Sequence, residues 1–142
     1  MEIAPMDRDQ EAGFIQAFVR RERRERAQFE LLSPKKRIAF LNRLCHTYQD
    51  ILDTRYLKSI PAPNTDYRAL LCHLTDKHAP ETCYVISTRA ELDGQHIRLA
   101  DALEKVVGYG LPSIVICLPE RLGYFEAEQE AGPPPRYILE RA

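Results

Sequence analysis

Apolar residues recur every three to four positions along the first 78 residues of the chain, and beyond them fall in short β-branched runs divided by Gly and Pro. A repeat near 3.6 marks amphipathic helices, whereas a repeat of two or an unbroken short run marks strands. The change of period predicts an α+β fold with helices ahead of strands. An N-terminal helical pair and further helices should pack on a mostly antiparallel sheet of four to five strands. One domain is expected over residues 1–142, mainly helical over 1–78 and mainly strands with one helix over 79–142.

The first helix is predicted over residues 7–31. Phe14, Ile15, Phe18 and Val19 form its stripe, which Phe29 and Leu32 resume after the charged run Arg20–Arg26. Arg21–Glu25 and Glu22–Arg26 have the i,i+4 spacing of stabilising ion pairs. Ser33-Pro34 restarts the chain, since Ser is a favoured cap and Pro is tolerated in the first helical turn. A second helix over 34–53 would align Ile38, Leu41, Cys45, Tyr48 and Leu52, with Phe40, Leu44 and Ile51 widening the face. Pro61 and Pro63 impose an extended connection. Asn64 or Thr65 then caps a third helix to Lys77, whose stripe is Tyr67, Leu70, Leu71 and Leu74.

Strands are expected over 83–87, 95–99, 113–118, 124–128 and 136–140, with Asp93-Gly94 as a tight turn. A fourth helix over 99–107 should end at Gly108 or Gly110. Ser113–Leu118 is unbroken in its apolar character, as expected of a central strand covered on both faces. The expected core includes Phe14, Phe18, Ile38, Leu41, Leu44, Leu71, Leu74, Val85, Leu103, Val106, Ile114 and Ile116.

Composition changes this picture little. With 44% hydrophobic and 29% charged residues in 142, the chain reads as an ordinary globular protein. No apolar run approaches the roughly 20 residues needed to span a bilayer. Residues 1–9 lack the apolar core of a secretory signal. Cys45, Cys72, Cys83 and Cys117 sit among apolar neighbours without a Cys-x-x-Cys pair, as reduced core thiols of a cytoplasmic protein would.

Charge is more informative. The net value of −1 conceals fourteen Lys/Arg against eleven Asp/Glu over residues 1–78, and six against ten over 79–142. From Arg20 to Arg37 eight basic residues face three acidic ones, a local excess of five positive charges. Such a patch could meet phosphates, but no aromatic platform interleaves it and the sequence pI of about 6.4 is not that of a nucleic-acid-binding domain.

No catalytic motif stands out. Glu126 and Glu128 share a strand face in the predicted register, which suits either a metal-assisted hydrolase or nuclease, with Asp93 as a third carboxylate, or the polar outer side of an edge. Cys72, His78 and Cys83 are the weak candidates for a metal, since a turn between helix and strand would allow three such ligands to converge; no familiar zinc spacing is present. No cofactor is implied. The reading that remains is a non-enzymatic, cytoplasmic protein-binding or regulatory domain, an adaptor or immunity-type inhibitor. Its partner would be another protein, with a homodimer second, nucleic acid disfavoured and no membrane. Tyr124, Glu126 and Glu128 on an exposed strand face, and Arg20, Arg23 and Arg24 on the basic helix, are the candidate partner-binding residues.

Overall fold

The computed structural model describes residues 6–60, 66–129 and 134–141. Among these residues run α1 (Arg8–Phe18), α2 (Arg24–Leu32), α3 (Arg37–Ile51), β1 (Leu57–Ser59), α4 (Tyr67–Asp76), β2 (Thr82–Ser87), β3 (Gln95–Arg98), α5 (Leu99–Val106), β4 (Ser113–Leu118), β5 (Leu122–Glu126) and β6 (Arg136–Glu140). The strands form one sheet in the order β1-β6-β5-β4-β2-β3, and every neighbouring pair is antiparallel. The fold is α+β as expected, with one strand more. That strand, β1, is only three residues long and is held by β6 through Leu57↔Leu139 and its neighbours, so it carries no period of its own.

Both faces of the sheet are covered. Tyr84, Ile86, Ile114, Ile116 and Phe125 pack beneath α1, α2 and α3. Their sequence neighbours Cys83, Val85, Val115, Cys117 and Tyr124 pack beneath α4 and α5. This explains why β4 is buried along most of its length, as its apolar run predicts. The same layering buries all of β5, where an outer polar face was expected.

The helix predicted over 7–31 is divided at Val19. Its backbone there is extended (φ −91°, ψ 139°) and bridges to Leu52. Arg20 N–H donates to Ile51 O at 2.8 Å and Asp53 N–H to Phe18 O at 2.7 Å. A tertiary strand-like contact thus overrides local helix propensity. The broken register also replaces the expected Arg21–Glu25 and Glu22–Arg26 pairs by Arg26–Glu30 and Arg43–Glu30.

Helix α3 begins after a turn in which the Lys36 and Arg37 N–H groups both donate to Ser33 O. Its inward face is Arg37, Phe40, Leu41, Leu44 and Ile51. Ile38, expected in the core, is 65% exposed. Arg37 is drawn inside, and the next residue on a helix points about 100° away. Leu71 is half-buried beside the fully inward Leu70 and Leu74. The cap of α4 is Asp66, whose side chain accepts from Ala69 N–H at 2.9 Å. The expected caps, Asn64 or Thr65, and the connection through Pro61 and Pro63 lie outside the described residues. Asp93-Gly94 closes a longer turn, since the Leu92 and Asp93 N–H groups both donate to Arg89 O. Among the described residues no helix is long and apolar enough to cross a membrane.

Candidate functional site

The nine residues of α2, RERAQFELL, turn Ala27, Glu30 and Leu31 inward. Phe29 and Leu32 lie out of phase with that row and point to solvent, 62% and 40% exposed. Spaced i,i+3, they are neighbours on the helix surface. An exposed large apolar pair on a charged helix is the kind of feature that marks a contact surface.

Arginines precede it along the chain, in two groups. Arg20 and Arg24 are engaged with backbone: Arg20 donates from Nε and Nη2 to Gln49 O at 3.1 and 2.8 Å, and Arg24 from Nε to Val19 O at 3.1 Å. Both brace the break between α1 and α2. Arg23 and Arg26 instead line a small depression with Glu30 of α2 and Arg43 of α3, floored by Phe40 and Ile51. Arg43 pairs with the buried Glu30, and Arg26 Nε stands 3.9 Å from the same carboxylate. Burial, then the nearby guanidiniums of Arg26 and Arg23, push the Arg43 guanidinium below its usual range. Like charges have been brought together here with one carboxylate between them.

The acidic candidates fall elsewhere. Tyr124 and Glu126 are fully buried, correcting the exposed face expected for them; helices over both sheet faces leave β5 no solvent side. The Glu126 carboxylate accepts from Gly108 N–H and Gly110 N–H, each at 2.7 Å, and from the Tyr124 hydroxyl at 2.9 Å. It fastens the loop from α5 to β4. Gly108 and Gly110 have φ of 89° and 69°, and a Cβ on Gly110 would lie 2.4 Å from the Gln129 Cβ, so this loop demands glycine. Burial first, then Glu126, raises the Tyr124 hydroxyl above the ordinary tyrosine range. Strand β5 stops at Glu126, the alternation lapses, and Glu128 reaches His46 of α3 instead, Oε2 to Nδ1 at 3.8 Å.

Asp93 does not join these two carboxylates either. It receives two hydrogen bonds from Arg37 and one from Ser87 N–H. The three acids of the hydrolase reading therefore serve three separate places.

Cys72 lies exposed on α4, while Cys83 is buried on β2. His78 occupies the turn between them with φ of 71°. Among the described residues no three His, Cys, Asp or Glu side chains converge as a metal site, so these three are not brought together. Burial pushes the Cys83 thiol up to about 12. It likewise raises Cys117, and Cys45 is raised by burial and then by Glu128. Each of these shifts opposes formation of a nucleophilic thiolate.

Family models, curated proteins and solved structures contain no match to this chain.

A cleft of about 470 Å³ opens between α4 and the β1–β6 edge, with Leu70 and Ile138 in its floor and His73, Lys58, Lys77 and Glu140 at its polar side. Its two lysines both bind Glu140, at 2.5 Å from Lys58 and at 2.8 Å from Lys77. The polar wall is thus largely satisfied from within. The α2 surface leaves both charge and apolar area open to solvent.

The sequence missed much of this surface. Phe29 and Leu32 read as the resumed stripe of one long helix, Arg26 as a partner of Glu22, and Glu30 and Arg43 were not singled out. The signal was present in the i,i+4 pair Ala27–Leu31, which competes with Phe29–Leu32 for the inward face of a short helix.

Proposed function

We propose that this chain is a non-enzymatic protein-binding domain, an adaptor or immunity-type inhibitor, that docks an acidic protein partner on the solvent face of α2. The observation that carries the reading is the exposed Phe29–Leu32 pair in a segment where Arg21, Arg23, Arg26, Lys35 and Lys36 are exposed against Glu22 and Glu25. Aromatic anchors set among arginines have the composition of interface hot spots. Charge complementarity selects an acidic partner and speeds its approach. Four cysteines without a disulfide support the cytoplasm as its setting.

Native mass spectrometry on the protein gently purified from its own cells tests the reading, run in parallel on Phe29→Glu/Leu32→Glu. The expected result is a stoichiometric acidic protein companion on the wild type, lost from the variant at an unchanged melting temperature. No companion, or one that the variant retains, overturns it.

A further inference from the structure

Three guanidiniums meet at the junction of α2 and α3, and a single carboxylate stands among them. Glu30 is buried and pairs with Arg43. Arg26 touches that carboxylate only at the outer limit of an ion pair, 3.9 Å. No carboxylate among the described residues lies within ion-pair distance of Arg23. Glu30 can neutralise one cation of the three, which leaves an excess of two positive charges around one depression.

The backbone adds to the excess. Arg23 caps α2, and Arg24 and Arg26 lie in its first turn. Helix N-termini carry a partial positive charge that favours anions and disfavours cations. Glu25 is the one acid of that turn, so Arg24 and Arg26 oppose the helix field where a single carboxylate favours it.

We infer that Arg23, Arg26 and Arg43 form a notch that receives a carboxylate side chain of the protein partner. The inference rests on the docking role proposed for α2, and names the chemistry of the group recognised beside the Phe29–Leu32 pair. Size restricts the guest. The depression offers about 10 Å³, the scale of one water molecule, so it admits the tip of a side chain and excludes a nucleotide base or a drug-sized ring. Guanidinium forks match a carboxylate with two parallel hydrogen bonds. Arg43 supplies a half-buried wall, while Arg23 and Arg26 are exposed and can close on the guest. A long polyanion is disfavoured because residues 79–142 carry an excess of four negative charges, whereas an isolated Asp or Glu on an apolar segment meets the charge and the apolar pair together.

The test uses the full chain and a short fluorescent peptide of alternating Glu and Leu. A matched Gln-Leu peptide, its phosphoserine-Leu counterpart and an oligothymidylate serve as controls. Anisotropy gives affinity, and side-chain NMR of the arginine Nε–H groups reports the place of binding. The Glu-Leu peptide is expected to bind, to weaken as salt rises, and to shift Arg23, Arg26 and Arg43. Replacing Glu by Gln in the peptide, or Arg23→Gln/Arg26→Gln in the protein, should each weaken it by about tenfold or more, the equivalent of roughly 1.4 kcal/mol. Arg43 is left intact because Glu30 depends on it.

Failure of the Glu-Leu peptide to bind, or equal binding by Arg23→Gln/Arg26→Gln, overturns the notch. If Phe29→Glu/Leu32→Glu still loses the cellular companion in that case, the docking role of α2 survives without it. Tighter binding of the phosphoserine peptide overturns carboxylate recognition in favour of phosphate. Tighter binding of oligothymidylate overturns both the notch and the protein-docking reading.

Discussion

Arg37 at the start of α3 holds Glu11 of α1 by two parallel hydrogen bonds, Nη1 to Oε1 at 2.9 Å and Nη2 to Oε2 at 2.8 Å. The same guanidinium donates to Asp93 from Nε and Nη2, at 2.7 and 2.9 Å, and to Leu31 O at 3.3 Å. All five arginine donors are thereby used. Glu11 also accepts from the Tyr84 hydroxyl at 2.6 Å. Burial opposes the charge of Arg37, but Asp93 and Glu11 outweigh it and hold the guanidinium protonated well beyond its usual range. One buried cluster thus fixes α1, α3, β2 and the turn before β3, and with them the base on which α2 sits.

Removing the centre of that cluster should be costly. Arg37→Met leaves two carboxylates desolvated without their cation, and such losses cost about 3–5 kcal/mol. Arg37→Lys should recover only part of this, because an ammonium lacks the planar fork that reaches two carboxylates at once. Equilibrium urea unfolding measures both. A loss below about 1 kcal/mol for Arg37→Met would show that the cluster is dispensable.

Glu126 makes a more local prediction. Glu126→Ala deprives the Gly108 and Gly110 N–H groups of their acceptor and empties a buried site. Hydrogen bonds to a charged group contribute about 1.5–3 kcal/mol each. Amide exchange at Gly108 and Gly110 should accelerate more than exchange in β4, because the loop loosens before the sheet opens. Uniform acceleration across both would mean that Glu126 acts on global stability alone.

Glu126 shows where sequence reading succeeds and where it stops. The period change near residue 78 places most helices and strands because burial of one face dictates spacing, and Ser113–Leu118 is central as its unbroken run implies. Glu126 was legible as a residue on a strand, but not as a buried one: its partners are backbone groups 16 and 18 positions away. Local spacing holds no record of them. Val19 is similar, since only Leu52, far along the chain, reveals why the first helix breaks. In the candidate surface, Arg23 was legible from the charge run alone. Arg43 was not, because α3 must fold against α2 before it joins.

Ile38 and Leu44 offer a direct contrast on one helix. Ile38 is 65% exposed and Leu44 is fully buried, although both read as core in the sequence. Ile38→Lys should change stability by no more than about 0.5 kcal/mol, as surface substitutions do. Leu44→Ala should cost about 2–5 kcal/mol through lost burial and the cavity left behind. Matching losses in urea unfolding would place Ile38 in the core after all.

Acid should weaken the fold through two ion-paired carboxyls. Lys58 and then Lys77 hold Glu140 below the usual carboxylate range, and Arg55 does the same for Asp53. A carboxyl with a lower pKa folded than unfolded takes up its proton first in the unfolded chain. Its stabilisation is therefore present above the unfolded value, about pH 4, and is lost as the pH falls through the folded value. Lys58 and Arg55 are solvent-exposed, and water and salt screen such pairs, so their stabilisation is small. The Asp53→Asn/Glu140→Gln variant should thus be modestly less stable than the wild type at neutral pH. The gap should narrow as acid protonates the wild-type carboxyls. Urea unfolding at neutral pH and at about pH 3 reads the difference; a gap that stays constant between the two would show that neither ion pair is linked to folding.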